Sequence, residues 1–162
     1  LRVGFGMGEK KGKSSPRRTA RVRAVQFLYQ WGIRQQPAPS RKSLDEFWAL
    51  SPASGAVRPF AEDLILGTID HLSLLDERIE RYLENWQFGR LAAVDRSILR
   101  VALYELLYRG EIPPVVSVNE AVEVAKQLSS EESGKFINGI LDRALRDLNR
   151  PLRAAQDGES EG

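Results

Sequence analysis

From Pro16 to Leu148 the apolar residues recur every three to four positions, in runs punctuated by proline and glycine. That is the period of helices, and no alternating pattern competes with it. Ala20, Ala24, Phe27, Leu28 and Trp31 share one face of a first helix. Arg17, Arg18, Arg21 and Gln35 lie mostly off that face, so the helix is expected to be apolar inward and basic outward at its start. Gln36-Pro37-Ala38-Pro39 ends it. Leu44, Phe47, Trp48 and Leu50 predict a short helix before the Ser51-Pro52-Ala53-Ser54-Gly55 loop. A long helix begins near Arg58, with Pro59 in its first turn, and its stripe runs from Phe60 to Leu83. A break is expected near Leu72–Leu75, where Ser73 and Asp76 offer caps. Trp86 and Phe88 follow, and Gly89 is a terminator.

The next segment, about Leu91 to Tyr108, is apolar on more than one face and belongs at the centre of the core. Gly110 and Pro113-Pro114 stop it. Ser117-Val118-Asn119-Glu120 has the capping-box form and is expected to open a helix through Leu128; Ser129 with Glu132 repeats the box. Phe136, Ile137, Ile140, Leu141, Ala144, Leu145 and Leu148 mark the last helix, which Pro151 closes. Val115, Val116 and Val118 are β-branched, but the run is too short to make a strand. The fold class is all-α, a compact bundle of six or seven helices with short connections.

Charge divides the chain. Residues 1–25 hold eight Lys and Arg and one acid, a net of +7, and the remaining residues carry −5. A basic arm on a mildly acidic body suits a polyanion at one end and a different partner elsewhere. Residues 1–16 read as a disordered basic arm, residues 17–150 as the helical domain and residues 151–162 as a polar tail. Residues 1–6 precede Met7 and read as upstream residues outside the fold.

The inventory of reactive groups argues against an enzyme. There is no Cys, which excludes disulfides, zinc-cysteine sites and thiol catalysis. The single His, His71, sits beside Asp70 on the long helix and reads as structural. Gly4-Phe5-Gly6-Met7-Gly8 follows no strand and is no phosphate loop. The acid pairs Glu120/Glu123 and Glu131/Glu132 suit helix starts, with no metal-ligand set around them. No cofactor, catalytic residue or metal site is expected. No apolar run is long enough to span a membrane and no secretory segment appears, so a cytoplasmic protein is expected. Two aromatics stand out. Tyr29 lies where the inward face of its helix is already supplied. Phe136, expected in the first turn of the last helix beside Lys135, either packs in the core or stacks a base near amides that meet phosphate.

Four segments carry a resemblance. Arg17-Arg18-x-Ala20-Arg21-x-x-Ala24-Val25-Gln26-x-Leu28-Tyr29-x-Trp31, Val94 to Leu106, Val118 to Lys126 and Lys135 to Asp142 resemble, in order, the signatures of the NusB family of bacterial transcription antitermination factors. The resemblance runs from about Arg17 to Leu148, with little similarity around residues 37–57. It implies two small helical sub-bundles packed together, with no enzymatic activity. It also implies binding of boxA, a short single-stranded element of ribosomal RNA transcripts, together with a ribosomal protein called NusE in this role. That pair joins other Nus factors on RNA polymerase.

By this resemblance the RNA contacts are Arg17, Arg18, Arg21, Gln26, Tyr29, Lys135 and Phe136, and the acids facing the basic partner are Asp95, Glu105 and Glu120. Asn138 and Gly139 keep structural readings. Departures are Thr19 among the arginines, Glu132 where Asp is common, and Pro114. Two alternatives stand beside this reading. One is the related domain at the front of ribosomal RNA cytosine methyltransferases, and the other is a homodimeric protein-protein module.

Overall fold

The computed structural model describes residues 15–34, 38–83 and 88–148. The expected arm over residues 1–14, the stop at Gln36-Pro37, Trp86, the closing Pro151 and the polar tail lie outside the described residues. Among the described residues seven helices follow one another: α1 (Pro16–Arg34), α2 (Arg41–Leu50), α3 (Arg58–Asp70), α4 (Leu72–Tyr82), α5 (Ala93–Tyr108), α6 (Pro114–Leu128) and α7 (Glu131–Arg146), with one 3₁₀ turn at Phe88–Arg90. No strand occurs among the described residues.

α1 starts where Ser15 accepts a hydrogen bond from the Arg18 amide and Pro16 needs none of its own. Ala20, Ala24, Phe27 and Leu28 are buried as their spacing requires, but Val22, Val25 and Arg21 are buried too. The helix is therefore enclosed on more than one side, and its basic face is narrower than the sequence suggests. α2 is fixed by a capping box between Ser40 and Ser43. It covers α1 through an edge-to-face contact of Phe47 with Phe27, centroids 5.3 Å apart. The Trp48 indole donates to Glu62 of α3 at 2.7 Å.

The long stripe breaks at His71, before the expected Ser73 and Asp76 caps. The His71 amide closes α3 on the Gly67 and Thr68 carbonyls, and its own carbonyl opens α4 by accepting from Leu75. Asp76 is used elsewhere, as a twofold acceptor for Arg100 of α5 at 2.7 and 2.8 Å. α5 packs against α1, α3, α4, α6 and α7. Its unbroken buried run from Val101 to Leu106 puts it at the centre of the core.

Both capping boxes expected in the C-terminal half are corrected. α6 begins at Pro114, whose ring fixes the helical φ, so Ser117 and Glu120 are already inside the helix. The Ser117 hydroxyl instead donates to Glu105 at 2.7 Å. α7 is capped by Ser130, not Ser129: the Ser130 hydroxyl accepts from the Ser133 amide at 3.0 Å.

Candidate nucleic-acid interface

The start of α1 packs against α3, α5 and α6, and its arginines differ in how far they are buried. Arg17 is exposed, with its guanidinium carbon 4.4 Å from the centroid of Phe60. The Arg18 side chain keeps 35% of its surface and makes a two-pronged contact with Glu120 at 2.9 and 2.8 Å. Arg21 is only 4% exposed and grips Glu105, itself 1% exposed, at 2.7 and 2.9 Å. Glu120 stands 3.6 Å from Arg21 as well, so two cations and two anions from α1, α5 and α6 form one chain of contacts that Ser117 completes.

Removing two charges from water costs several kcal/mol each, and only close, multiply hydrogen-bonded geometry offsets it. That geometry is present here. The Arg18 hydrogen bond holds the Glu120 carboxyl below the usual range against the opposing effect of burial, and Arg21 adds to it. The reciprocal contact raises Arg18.

This corrects two sequence expectations. Arg21 is not part of an outward basic face; its charge is taken up inside the protein by Glu105. Glu105 is not a surface acid available to a partner, because its carboxylate is enclosed by Arg21 and Ser117. Glu120 is largely covered as well, with 18% of its side chain exposed and its oxygens turned to the two arginines. Neither the proximity of Arg21 to Glu105 nor that of Arg18 to Glu120 is visible locally: 84 and 102 residues separate them.

The other proposed contacts lie further along the molecule. Gln26 is half-buried and accepts from Arg23 at 3.4 Å, and Tyr29 is half-buried on the same helix. On α7, Lys135 is exposed and Phe136 is half-buried against the core, so the ring is shared between packing and surface. Because α7 starts at Glu131, Phe136 falls in the second turn and not the first. The first-turn amide of Ser133 is already bonded to Ser130, which weakens the case for phosphate held there by backbone groups. Asp95, in the first turn of α5, accepts from the Ser133 hydroxyl at 2.5 Å and ties the starts of α5 and α7 together. Gly134 lets α7 approach α6: an added Cβ would lie 3.1 Å from Lys126 Cγ.

Sequence reasoning left Phe60 and Arg23 unassigned. Phe60 was counted only as one residue of an apolar stripe, and its neighbour Arg17 is on another helix. His71 stacks on Tyr108 with centroids 3.9 Å apart and meets the Gly67 carbonyl through Nδ1 at 2.9 Å. Among the described residues no three His, Asp or Glu side chains are grouped to hold a metal ion. No helix among them is long and apolar enough to cross a membrane.

The NusB family model matches residues 18–146, which include the α1 arginines from Arg18 and all of α7. The transcription antitermination protein NusB of Methylacidiphilum infernorum is 46% identical over 134 residues, 83% of this chain and 93% of that protein. A crystal form of T. maritima NusB superposes with a TM-score of 0.71 at 39% identity, covering 83% of this chain and 94% of that one. A structure of the antitermination factors NusB and NusE in complex with double-stranded RNA superposes with a TM-score of 0.73 at 25% identity, covering 82% and 98%. With seven helices among its described residues and a family match over residues 18–146, the chain belongs to the NusB family.

Proposed function

We propose that this protein binds boxA-type single-stranded RNA of ribosomal RNA transcripts together with ribosomal protein NusE. It acts as a non-enzymatic adaptor of an antitermination complex with other Nus factors on RNA polymerase, in the cytoplasm. The observation that carries this reading is the family match over residues 18–146, which takes in α1 from Arg18 and all of α7 with its exposed Lys135; the exposed Arg17 stands one residue before it. The structure of a similar protein with NusE and RNA supports the same pair of partners. The reading of a methyltransferase front domain is disfavoured, because the curated relatives are matched over nearly their whole length.

In this scheme Arg18 and Lys135 meet phosphates, and Arg17 is a further RNA contact at the start of α1. Gln26, Tyr29 and Phe136 meet bases, since unpaired bases are read by stacking and by their edges. Asp95 faces the basic ribosomal partner, where a carboxylate steers and orients association. Arg21 and Glu105 act from inside, by holding α1 in place. Glu120 orients Arg18.

A fluorescence-anisotropy titration tests this, with labelled boxA-like single-stranded RNA against a scrambled strand and a duplex. It is run with and without NusE, at two salt concentrations. The expected result is a preference for the boxA-like strand that NusE strengthens and Phe136→Ala removes. Equal binding of all three RNAs, indifferent to NusE, would reduce the basic residues to a polyanion tether and overturn the reading. Light scattering on the same samples reports whether a homodimer competes with RNA.

A further inference from the structure

The first turn of α3 meets the start of α1 through a contact that the scheme above leaves unused. Phe60, the third residue of α3, is half-buried against the core. The guanidinium carbons of Arg17 and Arg21 lie 4.4 and 5.4 Å from its ring centroid. Arg21 is committed to Glu105, whereas Arg17 is exposed. At such a distance a guanidinium is held over a ring by the ring's quadrupole. A guanidinium resting on a ring on one side keeps its opposite face for a second flat group, and nucleobases of unpaired RNA stack on arginine planes in this way.

The surroundings suit a neutral base at this point. Glu111 is close enough that Arg17 contributes, after the residue's own amide and Arg109, to holding its carboxyl below the usual range. Arg18 is already paired with Glu120. Both carboxylates are held by arginines, Glu111 by Arg109 at 2.7 Å and Glu120 by Arg18 at 2.8 Å, so the neighbouring charges largely cancel and a neutral base meets no penalty here.

We propose that Phe60 holds the Arg17 guanidinium flat as a stacking platform for one base of single-stranded RNA, which adds the first turn of α3 to the RNA surface. This rests on the RNA-binding reading above. Phe60 is then a positioning residue and Arg17 the contact.

The test uses the full chain and boxA-like RNAs that each carry one abasic site, read by anisotropy at several salt concentrations. Wild type should lose about five- to tenfold in affinity when one particular position is abasic. Arg17→Lys keeps the charge but not the plane. It should bind intact RNA weaker by a similar factor, with an unchanged salt slope, and lose nothing further on that abasic RNA. Phe60→Leu should behave alike and Phe60→Tyr like wild type. Should Phe60→Leu lose its helical circular dichroism, Arg17→Lys and Phe60→Tyr decide the matter. If Arg17→Lys equals wild type, or remains as sensitive to every abasic position, the platform is refuted while RNA binding stands. If wild type does not prefer the boxA-like strand at all, the RNA reading fails and the platform with it.

Discussion

Glu105→Met should unfold this protein far more readily than Arg21→Met and Glu105→Met together. Arg21 and Glu105 are 4% and 1% exposed, joined at 2.7 and 2.9 Å, with Ser117 donating to the same carboxylate. Removing the carboxylate alone leaves a guanidinium enclosed by α1, α5 and α6, with only Glu120 at 3.6 Å. Breaking a buried pair in this way costs about 3–5 kcal/mol, whereas replacing both partners by apolar side chains of similar volume is often neutral. For a domain of this size the single change corresponds to a fall of about 6–20 °C in Tm. The hydroxyl left at Ser117 can turn to the carbonyl of Pro113, the residue that precedes α6. Urea unfolding of wild type, both single variants and the double variant closes the cycle, with constant m-values as the check on two-state behaviour. Where the apolar pair holds α1 in place as the ion pair does, the folded double variant should bind boxA-like RNA as wild type does, because Arg21 does not reach the surface. A single loss under about 1 kcal/mol, or a double variant as unstable as the sum of its parts, would show that the pair is not the buried unit described.

Three further outcomes are expected. Gly67→Ala places a Cβ 2.1 Å from the Tyr104 ring and should cost about 1–3 kcal/mol by forcing α3 away from α5, measured by thermal melting; an unchanged Tm would contradict the close approach. Ser130→Ala should destabilise by about 1 kcal/mol and Ser129→Ala by much less, since only Ser130 caps α7; the reverse order in urea melts would restore the cap read from sequence. The folded-state carboxyls of Glu62 and Glu120 are depressed, chiefly by hydrogen bonds from Arg41 and Arg18, so their contribution is complete above the ordinary carboxyl value of 4.5 and is lost as pH falls through and below it. Glu120→Gln should flatten the acid limb of a stability–pH profile, and an acid limb as steep as that of wild type would rule out the Arg18 contact as its source.

What the sequence revealed follows the range of the forces involved. Helix spacing and proline stops are local, so α1, α2 and the centrality of α5 could be read from periodicity. The capping boxes failed because a Ser-x-x-Glu pattern does not say whether a helix has already begun, and Pro114 begins it. Arg21 was placed on the outside because charge is normally solvated, while the carboxylate that keeps it inside comes from α5. Phe60 reads in the sequence as one residue of a stripe, because the cation above it arrives from another helix. The resemblance supplied the candidate contacts, but their solvent access depends on partners far away in the chain.

The Arg21–Glu105 pair also imposes an order on synthesis. The arginine leaves the ribosome 84 residues before its carboxylate, an interval of roughly 4–17 s at about 5–20 residues per second. During that interval α1 has no complete place to dock, because burying its cation alone would be unfavourable. Arg21 can therefore be buried favourably only once α5 has been made. The nascent chain passes through a period in which its basic start is unpaired and open to any polyanion nearby.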